Sequence, residues 1–467
     1  MPDDLHDLSA TQLSAAYRSR ALSPVDVTKA LLARIDSYEP ELNAMYIVDA
    51  EGAIAEATAS EARWRDGAPR SALDGVPSTV KENIATKGVP SPLGTAATEL
   101  VPASADAPPA ARVREAGCVI LGKTTMPDFG MLSSGVSSFH GVTRNPWNTA
   151  RNPFGSSSGA AAGVAVGYAP LALGTDIGGS VRLPAAATGV FGFKPSLGRV
   201  PIHPPYLGRV AGPMTRTVAD AAALMNPLTL PDARDYMALA HEPRDWSPAP
   251  DPSIRGTRIG LCVDIGMGMD TQPAVRAAIE AAAKVLEAAG AVVEEVDPFL
   301  DEEIFAGLDA FFAARLLADI DLLPASRRDA ALPFVIAWCR RAREWTAVDA
   351  LRALNQIMLM RERTHAAIQP YDFLVTPTSP ITAYDADEAA PGNDPERALP
   401  HVGFTAPFNF SEQPAASVPA GLDDDGLPIG LQIAGHRFDD AGVLRVASVY
   451  ESEAGLSEML ARVRNSA

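Results

Sequence analysis

The strongest constraint on the fold is a strand–helix–strand unit in the middle of the chain. An apolar run at 258–263 is followed by a helical pattern at 273–289, which Gly290 ends, and by a second apolar run at 291–296. Two strands joined through a helix of this length are expected to be parallel, because an antiparallel pair needs only a short turn. A shorter helix–strand unit lies at 110–121. We therefore predict an α/β/α sandwich on a large mixed, mainly parallel central sheet.

The composition is that of a globular chain. The 467 residues are 47% hydrophobic and 21% charged, which provides a sizeable core and excludes wholesale disorder. The net charge of −18 argues against binding to a phosphate backbone. The most apolar stretch, at 159–174, is too short for a membrane span, and the acidic N-terminus is unlike a signal peptide. We expect a cytoplasmic protein, since its three cysteines have no metal or redox spacing: Cys118, Cys262 and Cys339.

Two short motifs offer candidate serine nucleophiles. The run GSSSG at 155–159 matches G-x-S-x-G with Ser157 as nucleophile, but that motif needs a strand directly before the serine. The preceding RNPF cannot form a central strand. The pair Ser78 and Lys81 matches the S-x-x-K pattern of penicillin-binding enzymes, yet the companion K-T-G and S-D-N motifs are missing. Both hypotheses are therefore disfavoured.

Two glycine-rich turns offer a third arrangement. The first contains Ser156, the second is GTDIGGS at 174–180 and ends on Ser180, and an apolar, helix-like run at 160–173 lies between them. Consecutive glycines let the backbone bring several N–H groups to one point, as an oxyanion hole requires. The alternatives are two flexible turns or a phosphate cradle, although neither turn has the G-x-x-x-x-G-K-[ST] pattern of a phosphate loop.

The second turn extends to GTDIGGSVRLP at 174–184, and on this run the chain resembles the amidase signature family. Further segments match the family in order across most of 70–220 and 370–450. They are GVP at 75–77, KEN at 81–83, GKTTM at 122–126, TRNPW at 143–147, GFKPSLGR at 192–199, GPMTRT at 212–217, PT at 377–378 and GLPIGLQ at 426–432. An ordered set of this extent indicates membership of the family.

The resemblance implies a catalytic triad. Ser180 matches the family's nucleophile, Ser156 its bridging serine after a cis peptide bond, and Lys81 its base. Phe154 and Ser158 stand where the family usually has glycine, so the backbone of the loop and the pocket width are expected to differ from the family pattern.

The resemblance also implies an oxyanion hole and one wall of the acyl pocket. Backbone N–H groups would stabilise the oxyanion, so the resemblance implies no metal and no cofactor. The residues that match these roles are Ile177, Gly178, Gly179 and Ser180 for the oxyanion hole and Gly130 for the pocket.

A lysine base is chemically coherent with these positions. A serine hydroxyl is a weak nucleophile, so a base must take its proton. Lys81 follows a short strand-like run that leads into the interior, where burial would lower its pKa toward neutrality, and Ser156 would relay the proton. Histidine is the usual base, but no histidine here has a triad context; His140 and His203 are the pocket candidates by proximity in sequence.

Other residues are expected to shape the site. Arg182 is expected to hold the second turn by pairing with a carboxylate. Gly266 and Gly268 hint at a dinucleotide turn, but Thr271 breaks G-x-G-x-x-G, so no nicotinamide site is expected. Apolar pocket wall is expected from some of four aromatic residues: Phe139, Tyr206, Phe404 and Phe408.

The order of the motifs predicts a single domain over 1–467, although the length alone would allow about three domains. N-terminal helices are expected at about 1–68 and the motif-rich core at about 70–220. A variable, partly helical insertion follows at about 225–370, and an α/β part at about 371–467 completes the chain.

We predict hydrolysis of a carboxylic amide, or of an ester, through an acyl-enzyme on Ser180. The alternative within the family is the amide-hydrolysing A subunit of a tRNA-dependent amidotransferase, which works with a second chain. Those subunits usually carry YGRVSRYG and SSLD, whereas this chain has SLGRVP at 196–201 and LGRV at 207–210. The expected partner is a small-molecule amide, with no nucleic acid and no membrane; a homodimer is left open.

Overall fold

The computed structural model describes residues 5–247 and 252–455, so the predicted terminal regions extend beyond it at 1–4 and 456–467. Thirteen strands lie within the described ranges. In chain order they are β1 (Met45–Val48), β2 (Pro77–Lys81), β3 (Val119–Thr124), β4 (Val136–Ser137), β5 (Gly141–Val142), β6 (Leu171–Asp176), β7 (Phe191–Lys194), β8 (Val210–Thr215), β9 (Arg258–Leu261), β10 (Val292–Glu295), β11 (Phe373–Pro377), β12 (Ala415–Leu422) and β13 (Pro428–Gly435).

The same ranges contain thirteen α-helices. They are α1 (Ala10–Ser19), α2 (Pro24–Leu42), α3 (Ala50–Arg65), α4 (Pro108–Glu115), α5 (Ser158–Val166), α6 (Arg182–Thr188), α7 (Val218–Leu228), α8 (Pro273–Ala288), α9 (Glu302–Asp321), α10 (Pro333–Arg340), α11 (Ala347–Ile368), α12 (Ala406–Phe410) and α13 (Asp440–Ala454). None of these described helices is long and apolar enough to cross a membrane.

Eleven of the strands form one mixed sheet, in the order β1-β3-β2-β6-β8-β7-β12-β13-β11-β9-β10. The predicted α/β architecture on a large mixed sheet is therefore confirmed. The expectation that the sheet is mainly parallel is wrong, because six of its ten neighbouring pairs are antiparallel. The short connection between β12 and β13 permits only a hairpin, whereas the parallel pairs have long crossovers.

The strand–helix–strand unit has the predicted geometry. Strands β9 and β10 are parallel neighbours, with Val292 beside Arg258 and Glu295 beside Leu261. Helix α8 begins with Pro273 at its first turn and buries Val275, Ile279, Ala282, Ala283 and Leu286. Because these residues recur at helical spacing, they form one apolar face toward the sheet. Residues 258–295 of the predicted insertion thus belong to the central sandwich.

Helices pack on both sides of the sheet. One cluster of buried residues joins the strands to α1, α2, α3, α4, α7, α8 and α13. A second contains buried residues of α5 and α6, and a third is built around α9, α10 and α11. The catalytic turns predicted from sequence lie on the side of α5 and α6.

The run at 160–173 is not a single helix, contrary to expectation. Helix α5 ends where Gly167 adopts a left-handed conformation with φ of 83°, and Pro170 stands directly before strand β6. Proline cannot continue a helix, because it lacks the N–H and its ring clashes with the preceding turn. Ser156 therefore precedes α5, and Ser180 follows β6.

Candidate active site

Lys81 is the last residue of β2, and all five residues of that strand are buried. Its Nζ lies 2.8 Å from Ser156 Oγ and 3.1 Å from Thr175 Oγ1. Burial lowers the pKa of Lys81 to about 7; the positive charge of Arg209 adds to this, and Asp176 and Glu82 oppose it. A large fraction of Lys81 is therefore neutral near pH 7, as a proton acceptor must be.

The two serine turns meet at one cavity. The Gly155–Ser156 peptide bond is cis, and Phe154 before it has a φ of 58° although the family usually has glycine there. Ser156 and Ser180 both line the cavity, and the Ser180 carbonyl accepts a hydrogen bond of 3.1 Å from the Ser157 N–H. Within the described residues, the Ser180 hydroxyl itself makes no hydrogen bond. It is thus free to face a substrate carbonyl.

Three of the four predicted oxyanion-hole N–H groups have no acceptor among the described residues: those of Ile177, Gly178 and Ser180. The N–H of Gly179 donates to Asp176 Oδ1 at 2.8 Å. Gly179 has a φ of 126°, and a Cβ there would lie 2.3 Å from Thr405 Oγ1, so only glycine fits. The turn thus presents three available backbone donors, one of which is the N–H of Ser180 itself.

Arg182 holds the GTDIGGS turn by pairing with a carboxylate, as predicted. Its Nη2 and Nε lie 2.9 and 3.0 Å from the Asp176 carboxylate, and both side chains are fully buried. Burial alone would raise the pKa of Asp176, but Arg182 and Asn409 hold it well below its usual range. Arg182 also donates to the Thr405 carbonyl and to Gln432. The guanidinium therefore serves the fold and is not available to a substrate.

Replacing Arg182 with methionine is expected to destabilise the protein by about 3–5 kcal/mol, because it leaves the buried Asp176 without its counter-ion. The midpoint of urea unfolding at pH 7 measures this loss. Arg65→Met is the matched control, since the Arg65–Asp66 pair is exposed and such pairs contribute about 0–1 kcal/mol. Equal unfolding midpoints for the two variants would contradict the anchoring role.

The cavity has a volume of about 670 Å³. Gly130 lies on its wall, where a Cβ would come within 3.4 Å of Ser156 Oγ. Of the four aromatic residues expected in the wall, Tyr206 lines the cavity; Phe404 and Phe408 are buried in the core, and Phe139 packs on Tyr46 and His140. The lining residues are Asn83, Leu93, Thr98, Phe129, Gly130, Ser156, Thr175, Asp176, Ile177, Ser180, Pro204, Pro205, Tyr206, Arg209, Arg315, Ala318, Asp319, Leu322 and Leu323.

The competing candidates lie outside the cavity. Ser157 is buried and its Oγ donates to the Thr175 carbonyl at 3.3 Å, while Ser78 is buried in β2. His140 is paired with Glu82 through a contact of 2.6 Å between Nε2 and Oε2, and His203 is exposed. None of the four lines the cavity that contains Ser180.

Several residues of the site are not singled out by the sequence. Thr175 accepts a hydrogen bond from Lys81 and another, of 3.1 Å, from Asn83. Arg209 and Arg315 line the cavity on its polar side. The GTDIGGS turn contains the signal for Thr175, whereas Arg315 lies far away in the chain on α9, in a segment without a recognisable motif.

A second buried lysine shows why a lowered pKa does not define a base. Burial, with a smaller contribution from Arg182, lowers the pKa of Lys194 to about 7. Its Nζ donates to the Pro195 carbonyl, and it does not line the cavity.

Among the residues that the structure describes, no group of three or more acidic, histidine or cysteine side chains is placed to hold a metal ion.

A serine beside available backbone donors, with a second serine hydrogen-bonded to a buried lysine, is the arrangement that the resemblance to the amidase signature family predicts. The family model described as Amidase matches residues 26–444. The chain belongs to the amidase signature family and is a hydrolase acting on carbon–nitrogen bonds.

Relatives that match over nearly the whole chain include an amidotransferase subunit and acylamidases. The chain is 37% identical to the A subunit of the glutamyl-tRNA(Gln) amidotransferase of Myxococcus xanthus, covering 96% of this chain and 98% of that one. It is 33% identical to an acylamidase of Rhodococcus erythropolis, covering 96% of both chains. Among solved structures, a bacterial aryl acylamidase of this family superimposes with a TM-score of 0.91 at 30% identity, covering 99% of both chains.

Proposed function

We propose that the protein is a free-standing amidase that hydrolyses a carboxylic amide, or an ester, through an acyl-enzyme on Ser180. The observation that carries the proposal is the buried Lys81–Ser156 contact of 2.8 Å next to Ser180 on the cavity wall. Lys81 with its pKa lowered to about 7 is a competent base at neutral pH.

Acylation begins with proton transfer. The Ser180 hydroxyl gives its proton to Ser156, and Ser156 gives its own to the neutral amine of Lys81. Ser180 Oγ attacks the carbonyl carbon and forms a tetrahedral oxyanion, which the N–H groups of Ile177, Gly178 and Ser180 stabilise. The relayed proton then passes to the leaving nitrogen, the carbon–nitrogen bond breaks, and the amine departs.

Deacylation repeats these steps with water in place of the amine. Water loses a proton through Ser156 to Lys81 while its oxygen attacks the acyl carbon of the Ser180 ester. Collapse of the second tetrahedral intermediate breaks the bond to Ser180 Oγ, and the proton returns to this oxygen. The products are a carboxylic acid and the regenerated enzyme, so no metal or cofactor takes part in the proposed cycle.

The second candidate is the A subunit of a tRNA-dependent amidotransferase, favoured by 37% identity to one such chain over nearly the whole length. Against it stand the missing YGRVSRYG and SSLD segments and the superposition on an aryl acylamidase with a TM-score of 0.91. The first proposal requires activity without a second chain, and the alternative requires glutaminase activity coupled to one.

A substrate panel distinguishes the two functions. The purified chain is expected to release amine or ammonia from at least one of a set of small aliphatic, aryl and peptide amides without any added protein. Glutamine included in the panel tests the alternative. Turnover of glutamine alone, and only when a second chain is supplied, would replace our proposal by the amidotransferase function.

A further inference from the structure

The cavity wall carries two arginines that take no part in the bond-making and proton-transfer steps of the proposed mechanism. Arg209 stands directly before β8, and Arg315 lies on α9. Both line the cavity together with Ser180, and both are half-buried. The guanidinium of Arg315 lies 4.7 Å from the centre of the Tyr206 ring, which also lines the cavity.

Most hydrogen-bonding groups of these arginines are available to a ligand. Arg209 donates through Nη1 to the Pro204 carbonyl at 3.3 Å, and Arg315 has a weak 3.6 Å contact from Nη1 to Met131 Sδ. A guanidinium has five N–H donors, so most of them have no protein acceptor in the described chain. Neither arginine forms an ion pair with any described residue, whereas the buried Arg182 is fully engaged.

The charges around the pair leave it net positive. The lining contains two acidic residues: Asp176 is neutralised by Arg182, and Asp319, which forms no ion pair with a described residue, offsets only one of the two arginine charges. Burial raises the pKa of Asp319, although the positive charge of Arg315 opposes this. Burial, and then the charge of Arg315, lowers the pKa of Arg209 to about 10. An anion between the two guanidinium groups would offset their mutual repulsion. Its oxygens would also accept hydrogen bonds that the partly buried guanidinium groups no longer make with water.

We propose that Arg209 and Arg315 bind the carboxylate of the substrate, so that the preferred substrate is an amide that carries a carboxylate apart from its scissile bond. This inference rests on the proposed amidase function and specifies its substrate class. Planar guanidinium forks match a carboxylate in a bidentate manner, and their half-buried position strengthens the attraction. The cavity of about 670 Å³ that holds both arginines and Ser180 has room for a small molecule that reaches from one to the other.

Binding to the Ser180→Ala variant tests the inference without turnover. Two carboxylate amides are compared with neutral isosteres by calorimetric titration at low ionic strength: glutaramate with 5-methylhexanamide, and N-butyrylglycine with N-isobutylbutanamide. At least one carboxylate amide is expected to bind about 10- to 100-fold more tightly than its isostere. The first pair places the charge on the acyl part and the second on the amine part, so the pair that discriminates shows which part the arginines bind.

Adding Arg209→Gln or Arg315→Gln to this background is expected to reduce the carboxylate preference by about 10-fold or more. Arg315→Lys keeps the charge without the fork and is expected to retain part of the preference. Arg352→Gln is the control, because this arginine is 75% exposed on α11 and lies outside the cavity. Circular dichroism confirms that each variant is folded.

The possible outcomes separate this inference from the proposed function. Equal binding of charged and neutral amides, or a preference that survives both glutamine substitutions, overturns the arginine site. If the wild type hydrolyses neutral amides in that case, the amidase function still stands. A carboxylate preference that disappears in both variants, with no amide hydrolysed by the wild type, supports the site and contradicts the amidase proposal.

Discussion

Replacing Ser180 with alanine is expected to abolish amide hydrolysis, with a loss on the order of 10⁴- to 10⁶-fold in kcat. The proposed acyl-enzyme cannot form without the Ser180 hydroxyl. Ser156 is another hydroxyl on the cavity wall, but its Oγ is engaged by Lys81 at 2.8 Å. The three backbone donors remain in the variant, including the N–H of residue 180, so only weak residual polarisation of the carbonyl is expected.

Covalent labelling with a fluorophosphonate probe is the direct measurement, with peptide mass spectrometry to locate the label. Ser157→Ala is the matched control, since Ser157 lies in the neighbouring turn and its hydroxyl is buried against the Thr175 carbonyl. That variant is expected to label and to turn over substrate like the wild type. Label found on Ser157 or Ser78 would show that Ser180 is not the nucleophile.

The architecture is predictable where local pattern and long-range pairing agree. The unit at 258–296 combines apolar runs with a one-sided helix between them, and the structure pairs its strands in parallel. The directions of other strands cannot be predicted from local sequence. Strand β7, for example, pairs antiparallel with β12, which lies more than two hundred residues later, and nothing in the sequence around β7 indicates this neighbour. The run at 160–173 misleads because its composition is equally apolar in α5 and in β6.

The site shows the same division. Contiguous motifs identify the two glycine turns and Lys81, and the structure brings Lys81 and Ser156 into contact. The cavity wall is poorly predicted, because aromatic character does not distinguish core from pocket: Phe404 and Phe408 are core residues. Arg315 reaches the site only through the packing of α9, so its position follows from tertiary structure and not from any pattern around it.

Lys81→Met is expected to lower the rate of acylation by about 10²- to 10⁴-fold, which is the usual contribution of a general base. The pH dependence carries the sharper test. Burial disfavours the charged form and brings the pKa of Lys81 to about 7, so the neutral amine becomes the major form above this pH. In the wild type, kcat/KM for a neutral amide should therefore fall as the pH drops through about 7.

Two further variants separate a base from a merely structural lysine. Lys81→Arg keeps a cation that does not deprotonate, so it should be as slow as Lys81→Met across the neutral range of pH. Arg209→Gln removes a positive charge that lowers the pKa of Lys81, so this pKa should rise. The fall of kcat/KM at acidic pH should therefore occur at a higher pH in this variant than in the wild type, but it should still be present. Two results for Lys81→Met would mean that another group accepts the Ser180 proton. They are full activity near neutral pH, or a fall of kcat/KM at acidic pH that matches the wild type.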